Sequence, residues 1–155
     1  MLCKMTENNM PTILIDTREQ RPYTFSAAIP TRRTRLFYGD YSLEGMVGRV
    51  AIERKSLGDW VSTITHSRAR FTRELEKLST FEWAYVVVEG NEDTIQAGRY
   101  ERAATNTPAK LLPRMRGIFE KYPTITFLLC RDRIHARETV EGLLLEISRA
   151  AAREE

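Results

Sequence analysis

The residues best suited to chemistry lie in one short segment, Arg49-Val50-Ala51-Ile52-Glu53-Arg54-Lys55. Side chains alternate between the faces of a strand, so Arg49, Ala51, Glu53 and Lys55 share one face and Val50, Ile52 and Arg54 the other. Val50 and Ile52 commit their face to the core. Glu53 and Lys55 then stand side by side on the opposite face, near the strand's end. Alone, a carboxylate beside an ammonium is an ordinary surface pair worth about 0–1 kcal/mol. Its neighbours in the chain change that. Asp40, in a Gly39-Asp40 pair, lies 13 residues before Glu53, where hairpin pairing brings it alongside. Asp16 and Glu19 sit at the end of an apolar run, residues 12–16. Four acids around one lysine repel one another unless a cation binds them. Mg²⁺ suits such a site, since it takes one or two carboxylates plus water and substrate phosphate. The ion lowers the pKa of a bound water and polarises a phosphoryl oxygen. Lys55 can orient that water or neutralise charge developing on the phosphate. The chemistry is metal-assisted phosphodiester hydrolysis. The plainer alternative keeps Asp16 and Asp40 as turn residues and Glu53–Lys55 as a surface pair.

Elements must hold these residues in place. The continuous apolar runs at 12–16, 83–88 (WAYVVV) and 124–129 (TITFLL) read as buried strands. Residues 35–38 and 41–43 read as extended segments around Gly39-Asp40, and turns at Gly45 and Gly48 lead into 49–55 as a hairpin. Ser56-Leu57-Gly58-Asp59 has the form of a capping box, followed by Leu57, Trp60, Val61 and Ile64 at helical spacing. Phe71, Leu75 and Leu78 mark a second helix, and Asn91 caps a short third. Thr107-Pro108 opens a fourth, in which Pro113 either kinks the helix or marks its true start. Ala136, Val140, Leu143, Leu144 and Ile147 form the face of the last helix, with Leu145 outside the stripe. Strands that first cluster and then alternate with helices predict an α/β domain, a mixed sheet with helices on both sides.

Composition bounds the possibilities. A chain of 155 residues with 42% hydrophobic and 29% charged residues is one globular domain, neither disordered nor membrane-spanning. Two distant cysteines, Cys3 and Cys130, exclude a disulfide framework and fit a reducing compartment. The polar start, MLCKMTENNM, is no signal peptide, so a cytoplasmic location is expected. His66 and His135 have no partner at zinc-ligand spacing. Net charge is only +3, but it is unevenly spread. Five arginines against one acid lie between Arg18 and Arg35, and six basic residues against two acids between Arg99 and Lys121. Arginine outnumbers lysine 19 to 5, which favours bidentate phosphate contact. The aromatic residues show no regular interleaving with bases, so no stacking platform is expected.

Taken together, Asp16-Thr17-Arg18-Glu19, Gly39-Asp40-Tyr41, and Glu53-Arg54-Lys55 followed by Asp59 resemble the D-x-R-E, G-D-Y and E-R-K-x-x-x-D motifs of the XPF family of structure-specific DNA endonucleases. Ile64–Arg68, Glu89-Gly90 and Arg116-Gly117 also fall where that family places such residues. The resemblance spans about residues 12–150 of the chain, the nuclease domain of that family. It implies a restriction-endonuclease-like fold, a mixed β-sheet flanked by α-helices, filling 1–155 as a single domain with 1–11 expected to be flexible. No G-x-G is present among the glycines, so no helix-hairpin-helix module is expected.

The resemblance further implies that Asp40 and Glu53 hold the metal, that Asp16 and Glu19 complete the acidic site, and that Lys55 assists the water. Asp16 is included among the metal ligands. Arg18, Arg68 and Arg70 become candidate DNA contacts. Arg54, facing away from Glu53, supports the site from behind or reaches DNA past the strand's end. Asp59 is either part of the catalytic signature or a helix cap. The implied activity is Mg²⁺-dependent DNA cleavage (Mn²⁺ as a possible substitute) on branched or flap DNA in repair or recombination. A homodimer is expected, with a helper protein supplying DNA binding, in a bacterial, phage or prophage context. The alternative is a non-catalytic DNA-binding or scaffolding partner of a nuclease.

Overall fold

The computed structural model describes residues 10–101 and 106–155. The flexibility expected of 1–11 lies, for residues 1–9, outside the described residues, as does Cys3. Six strands form one sheet: β1 Ile13–Asp16, β2 Thr31–Thr34, β3 Tyr41–Leu43, β4 Val50–Ser56, β5 Trp83–Glu89 and β6 Ile125–Leu129. Their spatial order is β2-β1-β3-β4-β5-β6. The β1–β3 and β3–β4 pairings are antiparallel, while β1–β2, β4–β5 and β5–β6 are parallel. The sheet is therefore mixed, as expected. Around it lie α1 Leu57–Thr65, α2 Arg68–Leu78, α3 Glu92–Gln96, α4 Pro108–Lys121 and α5 Arg133–Glu154.

Alternation along β4 and β5 divides the core in two. Ala51, Val86 and Val88 pack on one face against α1, α2 and α4, around the fully buried Trp60. Phe71 meets the Trp60 ring edge-on at 5.7 Å. Val50, Ile52 and Val87 point the other way, onto Ala136, Val140, Leu144 and Ile147 of α5. Leu143 and Leu145 both pack partly buried at the margin of this second cluster. Burial of each large apolar side chain contributes about 1.5–3 kcal/mol, so both faces of the strands are needed to offset chain entropy.

Two strands differ from the sequence expectation, and one open alternative is decided. The extended segment is residues 31–34 rather than 35–38. Thr31-Arg32-Arg33-Thr34 has no apolar side chain to give it periodicity, and it forms a charged edge strand paired to β1. At the other edge, β6 is only partly buried: Ile125 alone is fully enclosed, because nothing pairs with its outer side among the described residues. Pro113 lies inside α4 on an exposed face, so Pro108, at the first helical position, is the true start.

Gly39 has φ +78°, and an added Cβ would stand 3.0 Å from the carbonyl oxygen of Ile52. Both the left-handed conformation and the close approach to β4 require glycine here. Gly39→Ala is expected to lower stability by at least about 1–2 kcal/mol in urea denaturation, with β3 pushed away from β4.

Candidate active site

The site is built at the ends of three adjacent strands. Tyr41 pairs with Ile52 in the antiparallel register, which sets Asp40 across from Glu53. The Asp40 N–H donates to the Ile52 carbonyl at 2.8 Å. From the other side, the Asp16 N–H donates to the Asp40 carbonyl at 2.9 Å. Asp16, Asp40 and Glu53 thereby line one cleft of about 270 Å³, together with Arg18 and Arg70.

The acids are not equivalent. Asp16 is buried, and its carboxylate accepts the Leu36 N–H at 2.8 Å and the Arg18 Nε–H at 2.8 Å. Burial opposes its charge, but these bonds outweigh burial and hold its pKa below the usual carboxylate value. Asp40 accepts the Arg54 N–H at 2.7 Å. Burial, and then the charge of Glu19, nevertheless push its pKa up to about 6. Glu53 is pushed up to about 8, first by burial and then by the charge of Asp40. Two facing carboxyls share the cost of ionising, so the pair retains about one proton near neutrality.

Lys55 Nζ lies 3.5 Å from Glu53 and 3.9 Å from Glu74, and rests 5.6 Å above the Phe71 ring. Glu74, on α2, also meets Arg70 at 3.5 Å and lines the same cleft. Sequence reading passed over Glu74. Its only local signal is an Arg70–Glu74 pair at i,i+4 beside the apolar Phe71.

On the far face of β4, Arg54 enters a different network. Its guanidinium pairs with Glu89 at 3.0 Å and with Glu19 at 3.6 Å. Glu89 also accepts from the Tyr23 hydroxyl at 2.7 Å and from Arg133 of α5 at 3.2 Å. Glu19 is thus drawn onto Arg54, while still lining a cavity with Asp40 and Glu53. Arg133 and Tyr23 went unnoticed in the sequence because the contacts joining them to Arg54 cross from one end of the chain to the other.

The four acids expected to converge on one cation do not form a common ligand set. Among the described residues, no three Asp, Glu, His or Cys side chains are placed to hold one metal ion. Asp16, expected as a ligand, accepts from Leu36 and Arg18, and Glu19 pairs with Arg54, so both carry a second, structural task. Asp40 and Glu53 face each other across the β3–β4 pairing. A donor set of two carboxylates, destabilised by mutual repulsion and open to the cleft, fits a divalent ion that takes its other oxygens from water and phosphate.

The three arginines separate. Arg18 and Arg70 line the acidic cleft. Arg68 lines a separate groove between α2 and α4, beside Phe71, Arg114 and Tyr122. Asp59 donates its backbone N–H to Ser56 Oγ at 3.1 Å, which is one half of a capping box; its side chain lines the cavity of Lys55 and Arg70.

The arrangement is an acidic cleft at the end of a mixed α/β sheet, with one lysine beside it. Among solved structures, XPF from Aeropyrum pernix has a similar fold, with TM-score 0.67 and 20% identity, covering 93% of this chain and 69% of that one. No curated protein matches the chain. The family model described as ERCC4 domain matches residues 15–151, and the chain belongs to that family. Its fold is the restriction-endonuclease-like one of the XPF nuclease domain.

Two outcomes test the electrostatics. Asp40 and Glu53 titrate above their unfolded values, so the folded chain holds extra protons at intermediate pH. That stability is whole below the unfolded values and is lost as pH rises through about 6 and then about 8. In chelator, Glu53→Gln is expected to flatten this decline. Above about pH 8 it should exceed the parent chain by at least the ~1.4 kcal/mol of one pKa unit in chemical denaturation. Glu89→Ala leaves the nearly buried Arg54 and the half-buried Arg133 without their shared partner. It is expected to cost about 3–5 kcal/mol by the same measurement.

Proposed function

We propose that this chain is a metal-dependent endodeoxyribonuclease that hydrolyses phosphodiester bonds in branched or flap DNA. The observation that carries the proposal is the β3–β4 register, which sets Asp40 opposite Glu53 with Lys55 two residues further on. In this reading Asp40 and Glu53 hold Mg²⁺, with Mn²⁺ as a substitute. The ion supplies a Lewis acid for the scissile phosphate and lowers the pKa of a water. Lys55, held between Glu53 and Glu74, orients the attacking water and neutralises charge that develops on the phosphate. Arg18 and Arg70, both largely exposed, grip phosphates on either side. Asp16 acts by fixing Arg18 and the Leu36 backbone. Arg54 and Glu19 brace the strand end from behind.

Pairing of two copies belongs to the same reading. It is supported by the free edge of β6, where Phe127, Leu128 and Leu129 are partly exposed, and by Ile134, exposed on α5. A helper protein would add DNA affinity. Among the described residues no helix is long and apolar enough to cross a membrane. The second reading, a non-catalytic DNA-binding or scaffolding partner, is favoured by one observation, the engagement of the Asp16 carboxylate by Leu36 and Arg18.

The test incubates the protein with linear, flap and junction DNAs in Mg²⁺, in Mn²⁺ and in chelator. Cleavage is expected only with metal. Asp40→Ala and Lys55→Ala should each reduce it by more than 100-fold, on the order of the effect of removing a positioned proton-transfer or charge-stabilising group, with the thermal unfolding of Lys55→Ala close to that of the parent. Cleavage that survives chelator and Asp40→Ala sinks the proposal, and binding without cleavage in every metal selects the scaffolding reading.

A further inference from the structure

Phe37 is 78% exposed, the most exposed large apolar side chain among the described residues. It is not a loose loop tip. Leu36 on one side is buried; its N–H is held by the Asp16 carboxylate, and its carbonyl accepts from Arg18 Nη2 at 2.7 Å. Tyr38 on the other side packs edge-on against Phe81, with ring centroids 6.0 Å apart. Gly39 then presses against the Ile52 backbone. A ring with no role in the core is thus presented on anchored backbone, which lowers the entropic cost of using it to bind. Phe37 lines the cleft of Asp40 and Glu53, which Arg18 and Arg70 also line.

We propose that Phe37 forms a stacking subsite for an unpaired base next to the phosphate held at Asp40 and Glu53, and so discriminates frayed or flapped DNA from continuous duplex. The inference rests on the nuclease reading above. Bases inside a duplex are already stacked on their neighbours and cannot offer a face to Phe37. A base beyond a junction can, and every base has such a face, so the subsite selects structure rather than sequence. The charged groups of the same cleft fit this occupant: Arg18 and Arg70 suit the phosphates that accompany the base, without reading its identity. Asp16 connects the two functions, because its carboxylate positions both Arg18 and the residue preceding Phe37.

The test uses the full chain carrying Lys55→Ala, so that binding is read without turnover, and a flap DNA with 2-aminopurine as its first unpaired nucleotide. Binding is expected to quench the fluorophore with Phe37 or Phe37→Trp present, and to leave it bright with Phe37→Ala. In the cleaving chain, Phe37→Ala is expected to narrow the ratio of kcat/KM for flap over linear duplex by roughly tenfold, the scale of one lost base–aromatic stack, and Phe37→Trp to restore it. Equal quenching and an unchanged ratio with Phe37→Ala overturn the proposal, as does failure to bind flap DNA. A change in sedimentation with Phe37→Ala would assign the ring to contact between protein copies, and also overturns it. Cleavage undiminished by Asp40→Ala would instead remove the nuclease reading, while the quench, which needs no turnover, still decides the subsite.

Discussion

A single cross-strand pairing, Tyr41 opposite Ile52, fixes the chemistry of this molecule. Strand side chains alternate, so a slip of one residue would send Asp40 and Glu53 to opposite faces and expose the Tyr41 ring. The register is held from both sides. Tyr41 is fully buried between Tyr23 and Phe25, stacked on the first at 5.4 Å and edge-on to the second at 5.6 Å. Gly39, where no side chain fits, lets the backbone close on Ile52 just before the pairing begins. Apolar packing that has no chemical role thereby forces two carboxylates together against their repulsion.

The two faces of β4 answer that stress differently. On the face of α1 and α2, burial and the charge of Asp40 outweigh the Lys55 ammonium beside Glu53, and its pKa rises. On the face of α5, Arg54 is enclosed by Glu19 and Glu89, and Glu89 is further bound by Tyr23 and Arg133. Buried ion pairs of this kind add little net stability compared with apolar packing, but they penalise any arrangement that leaves one member alone. The network ties the start of α5, the loop after β1 and the end of β4 into one geometry. The strand end is thus rigid on one side and electrostatically unsatisfied on the other, a division suited to holding a cation in a fixed place.

Arginine is distributed along similar lines. Arg18, Arg33 and Arg54 are spent partly on backbone carbonyls and carboxylates of the protein itself. Arg70 stays largely exposed at the cleft. Clusters of positive charge in the sequence therefore overstate the surface available to phosphate, because several guanidinium groups close loops around the acidic residues.

Much was legible in the chain itself. The alternation in residues 49–55 separated Glu53 and Lys55 from Arg54, because a period of two is a property of any strand. The runs at 83–88 and 124–129 and the helical stripes from Leu57 to Ile147 marked the elements, because apolar periodicity reflects a core whatever its shape. The motifs carried the family. Other features depended on residues brought together from far apart. The Thr31–Thr34 strand has no apolar pattern, and exists because β1 offers it an edge. Arg68 and Arg70 look alike in sequence, yet two positions apart on α2 they take opposite sides of the helix, one at a groove on α4 and the other at the acids. Asp16 reads as a ligand in the sequence, but that its carboxylate also fixes the Leu36 N–H, twenty residues away, is visible only in the fold. Local pattern specifies which face a side chain takes. Which partner waits there is set by long-range contacts, and a carboxylate's role as ligand or as brace follows from the hydrogen bonds left to it once those contacts form.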